Sequence, residues 1–218
     1  MVPPCPLPDP RAPGALFVSL EGIDGTGKST QARRLAAHLR AAGRETVETR
    51  EPGGAPGAEE IRRLLVEGAP GRWSAATEAL LFTAARRDHV ERTVAPALAR
   101  GAVVISDRYL DSTRAYQGEA GLREAVDALH ARMIGLMPDL TLVLDMEPAR
   151  ALSRAAARAT PGEDRFERRG EAFQARLRAA FLAIAGAESH RCRVIDADGP
   201  AEAVAARVAA AVEARLCP

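Results

Sequence analysis

Eight residues constrain this chain more than any others. Gly22-Ile23-Asp24-Gly25-Thr26-Gly27-Lys28-Ser29 fits G-x-x-x-x-G-K-[ST] at every fixed position. It follows the apolar run Leu16-Phe17-Val18-Ser19-Leu20-Glu21 and opens a stretch of helical period. Glycines let successive backbone N–H groups turn inward onto phosphate oxygens, and the N-terminus of the next helix adds its dipole. Lys28 offers the β- and γ-phosphates a point charge, and Ser29 offers Mg²⁺ a hydroxyl. The nucleotide-binding stretch, taken through Thr30, therefore implies ATP with Mg²⁺. Lys28 is also the only lysine in the chain. A composition built on arginine has kept lysine where a fork-shaped guanidinium does not fit.

The rest of the chain has the alternation that this motif requires. Strand patterns fall at 16–21, 45–49, 102–106, 140–145 and 193–196, with helical patterns between them at about 28–42, 58–67 and 75–100, then up to Met137, 148–187 and from Pro200. Continuous apolar strands alternating with helices predict an α/β fold, a five-stranded parallel sheet covered by helices on both faces. No linker divides the chain after residue 15, so residues 16–218 read as one domain. Residues 1–15, proline-rich and without the charged and apolar regions of a signal peptide, read as a disordered tail.

Composition narrows the partners. Thirty basic residues against 29 acidic ones give a net charge of +1, which argues against a nucleic-acid or membrane-surface partner. No apolar stretch is long enough to span a membrane. Cys5, Cys192 and Cys217 have no metal spacing and form a poor disulfide framework, which suits a reducing cytoplasmic setting.

Three further segments carry candidate chemistry. Ser106-Asp107-Arg108-Tyr109 ends the third strand, so Asp107 and Arg108 should face the glycine-rich loop, the carboxylate toward Mg²⁺ or an attacking oxygen and the arginine toward a phosphate. Thr49-Arg50-Glu51-Pro52-Gly53-Gly54 ends the second strand, where Arg50 and Glu51 can meet substrate or each other. Arg154, Arg158 and Arg165 straddle the break Ala159-Thr160-Pro161-Gly162, a composition suited to a lid at about 150–170. Phe82 and Arg86 share a helix face, a pattern that is more often core than site. The four histidines and Trp73 show no convergent pattern and read as structural or surface residues.

Together these segments resemble the thymidylate kinase family of bacterial type, over roughly residues 16–213. The specific resemblance lies in Thr-Arg-Glu-Pro-Gly-Gly at 49–54, Glu-Glu-Ile-Arg at 59–62, Leu-Phe-Thr-Ala-Ala-Arg-Arg at 81–87, Asp-Arg-Tyr at 107–109 and Asp-Ser-Thr-Arg-Ala-Tyr-Gln-Gly at 111–118. The resemblance implies phosphoryl transfer from ATP to dTMP, giving ADP and dTDP, by a homodimer. It implies that Phe82 stacks on thymine, that Arg86 bonds its O4, and that Thr113 and Gln117 read its polar edge. Tyr116 would pack beneath the sugar and Asp24 would lie near the 3′-hydroxyl. Arg50, Arg62 and Arg108 would hold the acceptor phosphate, with Glu51 nearby as a possible further Mg²⁺ ligand. Some members carry an arginine inside the phosphate loop. Gly25 and Thr26 stand there in this chain, so the catalytic arginine is expected from the lid, with Arg158 first and Arg154 and Arg165 as neighbours.

Three other functions fit less well. A deoxyribonucleoside kinase does not need the arginines at 50, 62 and 108. A switch GTPase selects guanine through Asn-Lys-x-Asp, which a chain without asparagine cannot contain. A motor or transport ATPase normally brings partner-binding signatures, and none is visible.

Overall fold

The apolar run before the glycine-rich loop is the central strand of the sheet. In the computed structural model, which describes residues 5–69, 71–156 and 170–216, all six residues of β1 (Leu16–Glu21) are buried. β1 pairs in parallel with β3 (Val103–Asp107) on one side and β4 (Leu140–Asp145) on the other. β2 (Thr46–Arg50) lies beyond β3 and β5 (Cys192–Asp196) beyond β4, so the order is β2-β3-β1-β4-β5. The expected five-stranded parallel sheet is present, and each strand lies within one residue of its expected position.

Because strand side chains alternate, β1 feeds two cores. Leu16, Val18 and Leu20 join Leu35 and Leu39 of α1 (Lys28–Ala41), Phe181 of α8 (Glu171–Ala187) and Val208 of α9 (Ala201–Leu216). Phe17, on the other face, joins Ala79 of α3 (Ala75–His89), Leu110 of α5 (Leu110–Gly118) and Val126 of α6 (Arg123–Met133). α2 (Pro56–Val66) opens on proline, where the missing N–H costs nothing. α7 (Pro148–Ala156) follows β4.

Two expectations need correction. The helical pattern over 75–100 is not one helix: α3 ends at His89, a single π-turn spans Val90–Val94, and α4 (Ala95–Ala99) follows. Pro96 has no N–H to continue an i→i−4 ladder, and the wider turn absorbs the interruption. The proline-rich segment is not free of the body either, at least from Leu7 onward. The Leu7 N–H donates to Ile134 O at 3.1 Å, and Ala12 N–H to Leu98 O at 3.1 Å. Arg11 Nε donates to Asp139 Oδ2, which also accepts from the Phe17 N–H at 2.8 Å. An arginine fork that reaches the strand entering the sheet supplies the anchor that composition alone does not reveal.

The order reverses at β1, with β2 and β3 on one side and β4 and β5 on the other. Parallel sheets bind ligands in the crevice beyond the carboxyl ends at such a point. Among the described residues no helix is long and apolar enough to cross a membrane.

Candidate active site

The loop after β1 is shaped by contacts that exclude any side chain at two glycines. Gly22 has φ 132° and Gly25 φ 88°. A Cβ on Gly22 would lie 2.5 Å from Leu144 O, and one on Gly25 would lie 1.8 Å from Ala151 O of α7. Backbone therefore packs against backbone at both positions, a close approach that only glycine allows. Lys28, at the start of α1, folds back to donate to Ile23 O at 2.8 Å, and Thr26 Oγ1 donates to the same carbonyl at 3.0 Å. Burial, with the Arg108 charge beside it, pushes the Lys28 ammonium down to about 8. Thr30 lies on the first turn of α1.

The end of β3 meets this loop as expected. The Ser29 hydroxyl donates to Asp107 Oδ2, while Asp107 Oδ1 is buried and has no hydrogen-bond partner among the described residues. A hydroxyl and a carboxylate with an oxygen to spare suit Mg²⁺, which takes one or two protein oxygens and completes its shell from phosphates and water. Arg108 is the one described non-glycine residue with positive φ, at 70°. In this strained conformation its guanidinium reaches Asp24 Oδ1, Gly22 O and Ser112 Oγ. Burial raises the Asp24 carboxyl, but Arg108 and Lys28 outweigh it and hold the group below its ordinary range. Tyr116 donates to Asp24 Oδ2 at 3.1 Å, and its ring lies under the Arg108 guanidinium.

A cavity opens beside this cluster, between α2, α3 and α5. Phe82, Arg86, Tyr116, Thr113 and Gln117 line it together with Arg62, Glu51, Asp24 and Arg108. Arg86 is only 2% exposed, with Nε on Glu51 Oε2 at 2.7 Å and Nη2 on Thr113 Oγ1 at 2.9 Å. The other Glu51 oxygen faces His89 Nδ1 at 3.0 Å. Burial raises the Glu51 carboxyl, but Arg86 and His89 bring it below its ordinary range. The cavity thus combines aromatic rings, fixed donors and acceptors, and arginines in one lining, a combination that can accept a flat polar ring carrying an anionic group.

Comparison with known proteins decides the family. The thymidylate kinase family model matches residues 20–208. This chain belongs to the thymidylate kinase family. It is 63% identical to a thymidylate kinase of Dinoroseobacter shibae, over 91% of this chain and 96% of that one. It is 62% identical to a thymidylate kinase of Ruegeria pomeroyi, over 88% and 92%. A crystal structure of thymidylate kinase from Ehrlichia chaffeensis superposes with a TM-score of 0.75 at 32% identity, covering 92% of this chain and all of that one.

Within this thymidylate kinase fold, most of the expected site residues converge and a few do not. Arg50 is exposed and paired with Glu59 at 3.1 Å, outside the cavity lining. Glu51 lines the cavity, but both of its oxygens are engaged by Arg86 and His89, so the arrangement offers no carboxylate oxygen to a metal from this residue. Arg154 reaches toward Ala197 O and Gly199 O, at 3.4 and 3.3 Å. Arg158 and Arg165 lie outside the described residues.

Three residues of the site have roles that the motifs do not reveal. Glu21, fully buried at the end of β1, accepts from the Tyr109 N–H at 2.8 Å and from Ser112 Oγ at 2.6 Å, fixing the turn that carries Arg108. Burial and the Asp111 charge raise its carboxyl to about 8. His89 is fully buried beneath Glu51, and Glu78 sits beneath Gln117. A carboxylate ending an apolar strand and a Glu78-Phe82-Arg86 spacing of four were the available signals.

Proposed function

We propose that the cavity between α2, α3 and α5 is the dTMP site and that the loop at 22–30 holds ATP, with phosphoryl transfer occurring between them. The chain is an ATP-dependent kinase that converts dTMP to dTDP with release of ADP, a step of dTTP synthesis. The observation that carries the site assignment is the Phe82–Arg86–Gln117 wall standing next to the Asp24–Arg108 clamp. Phe82 stacks on the base, and Arg86, held by Glu51 and Thr113, donates to thymine O4. Tyr116 packs under the sugar, and Asp24 meets the 3′-hydroxyl. Arg108 and Arg62 hold the acceptor phosphate; Arg50 reaches it only by leaving Glu59.

Transfer then needs positioning and charge more than covalent chemistry. Lys28 leaves Ile23 O for the β- and γ-phosphates, and Arg108 spans the acceptor side of the same space. Ser29 and Asp107 would hold Mg²⁺, which would supply positive charge to the phosphates of ATP. The arginine expected from the segment at 150–170, Arg158 first and Arg154 or Arg165 otherwise, would supply a further positive charge to the transferring group. In related phosphoryl transfers such an arginine is worth about 10³–10⁵ in rate. The reaction uses free nucleotides in the cytoplasm, and the protein works as a homodimer.

Phe82→Ala tests the base site. The KM for dTMP rises about tenfold or more while the KM for ATP stays within about twofold. Equal effects on both would remove Phe82 from the base pocket.

A further inference from the structure

Gln117 is 1% exposed and its amide is engaged at one end only. Nε2 donates to Glu78 Oε2 at 3.0 Å, whereas Oε1 is buried with no partner among the described residues. Glu78, on the first turn of α3 and 3% exposed, is not part of the cavity lining, while Gln117 is. The nitrogen end of the amide is therefore tied to a residue outside the lining, and the oxygen end is left without a partner among the described residues.

We propose that Glu78 is a positioning residue that sets base selectivity by locking the Gln117 amide with its oxygen toward the base. The two ends of a glutamine amide are nearly isosteric, so its orientation is decided by its partners. An ionised carboxylate only accepts, so it holds the NH₂ end and repels the carbonyl end. The oxygen that remains is buried without a partner, which is costly until a donor arrives. Thymine presents such a donor at N3–H, beside the O4 acceptor that faces Arg86. Cytosine reverses both positions, with an acceptor at N3 and a donor at N4. Arg86 cannot reverse its polarity, because guanidinium only donates. Gln117 can, and Glu78 prevents it. A site whose buried polar groups are left unpaired by the wrong substrate rejects it far more strongly than a merely apolar one.

This inference rests on the cavity being the base site, and the experiment separates the two. Glu78→Gln keeps the volume but presents either a donor or an acceptor, which releases the Gln117 amide to turn. The ratio of kcat/KM for dTMP to that for dCMP falls about tenfold or more, with the KM for ATP unchanged and Tm within a few degrees of the unaltered protein. A folded E78Q with an unchanged ratio overturns the proposal. If Phe82→Ala raises the KM for dTMP in the same assay, only the role of Glu78 has failed; if Phe82→Ala also has no effect, the base site itself has been misplaced. Should E78Q not fold, the unaltered protein with ¹⁵N-labelled glutamine side chains decides. In the dTMP complex the Gln117 Nε2 protons show nuclear Overhauser contacts to the Glu78 side chain and none to the base. Contacts from those protons to the base in place of Glu78 overturn the proposal.

Discussion

Arg108 and Asp24 are joined across the mouth of the crevice, the guanidinium Nη2 to the carboxylate Oδ1, so the residue after β3 and the acidic residue inside the phosphate loop form one unit. The two residues are 84 positions apart in sequence. The pair ties the glycine-rich loop to the wall of the cavity, and the Arg108 backbone is held in a left-handed conformation to make it.

Arg108→Lys keeps the charge and loses the fork. A lysine ammonium cannot span Asp24, Ser112 and a phosphate together. The kcat/KM for dTMP falls about 100-fold or more, with little change in the KM for ATP. Steady-state kinetics with each substrate varied in turn checks this, and a loss below about threefold would mean that the fork is not used.

Asp107→Asn removes the carboxylate whose Oδ1 has no partner among the described residues. The free Mg²⁺ needed for half-maximal rate rises about 10- to 100-fold, and saturating Mg²⁺ restores part of the activity. A titration of rate against free Mg²⁺ at fixed ATP measures the shift. An unchanged midpoint would place the ion elsewhere.

Lys28 gives a pH signature. Its ammonium is pushed to about 8 by burial and by Arg108, so the free protein loses this charge as the pH rises through that value. A lowered pKa means that the charged form, which the phosphates need, is present below about 8 and depleted above it. The kcat/KM for ATP therefore declines above pH 8, approaching about tenfold per unit. By contrast kcat stays flatter, because bound phosphates return the charge to the lysine. A kcat/KM for ATP that is level from pH 7 to 10 would contradict the assignment.

Much of this was legible in the sequence because the relevant signals are local. β1 is an unbroken apolar run, the loop at 22–29 has fixed spacing, and Asp107 follows a strand whose end must face that loop. What was not legible depends on distant partners. Arg50 sits where a phosphate clamp is expected, yet Glu59, one turn into α2, holds it. Glu51 looked available to a metal until His89 and Arg86 were seen on its two oxygens. His89 showed no pattern because its partners, Thr49 and Glu51, lie on another element. Residues 7–15 looked detached because Asp139, which anchors Arg11, is 128 residues away. The helix at 75–100 misled for a different reason: a lone proline in an alanine-rich stretch left the pattern intact while breaking the ladder.

The most direct test is ADP release with ATP and Mg²⁺, offering dTMP, dUMP, dCMP, dAMP, dGMP and thymidine one at a time. The account predicts strong turnover with dTMP and little with dCMP, the purine nucleotides or thymidine. Turnover with thymidine but not with dTMP would contradict it, because the arginines beside the cavity would then have no phosphate to hold.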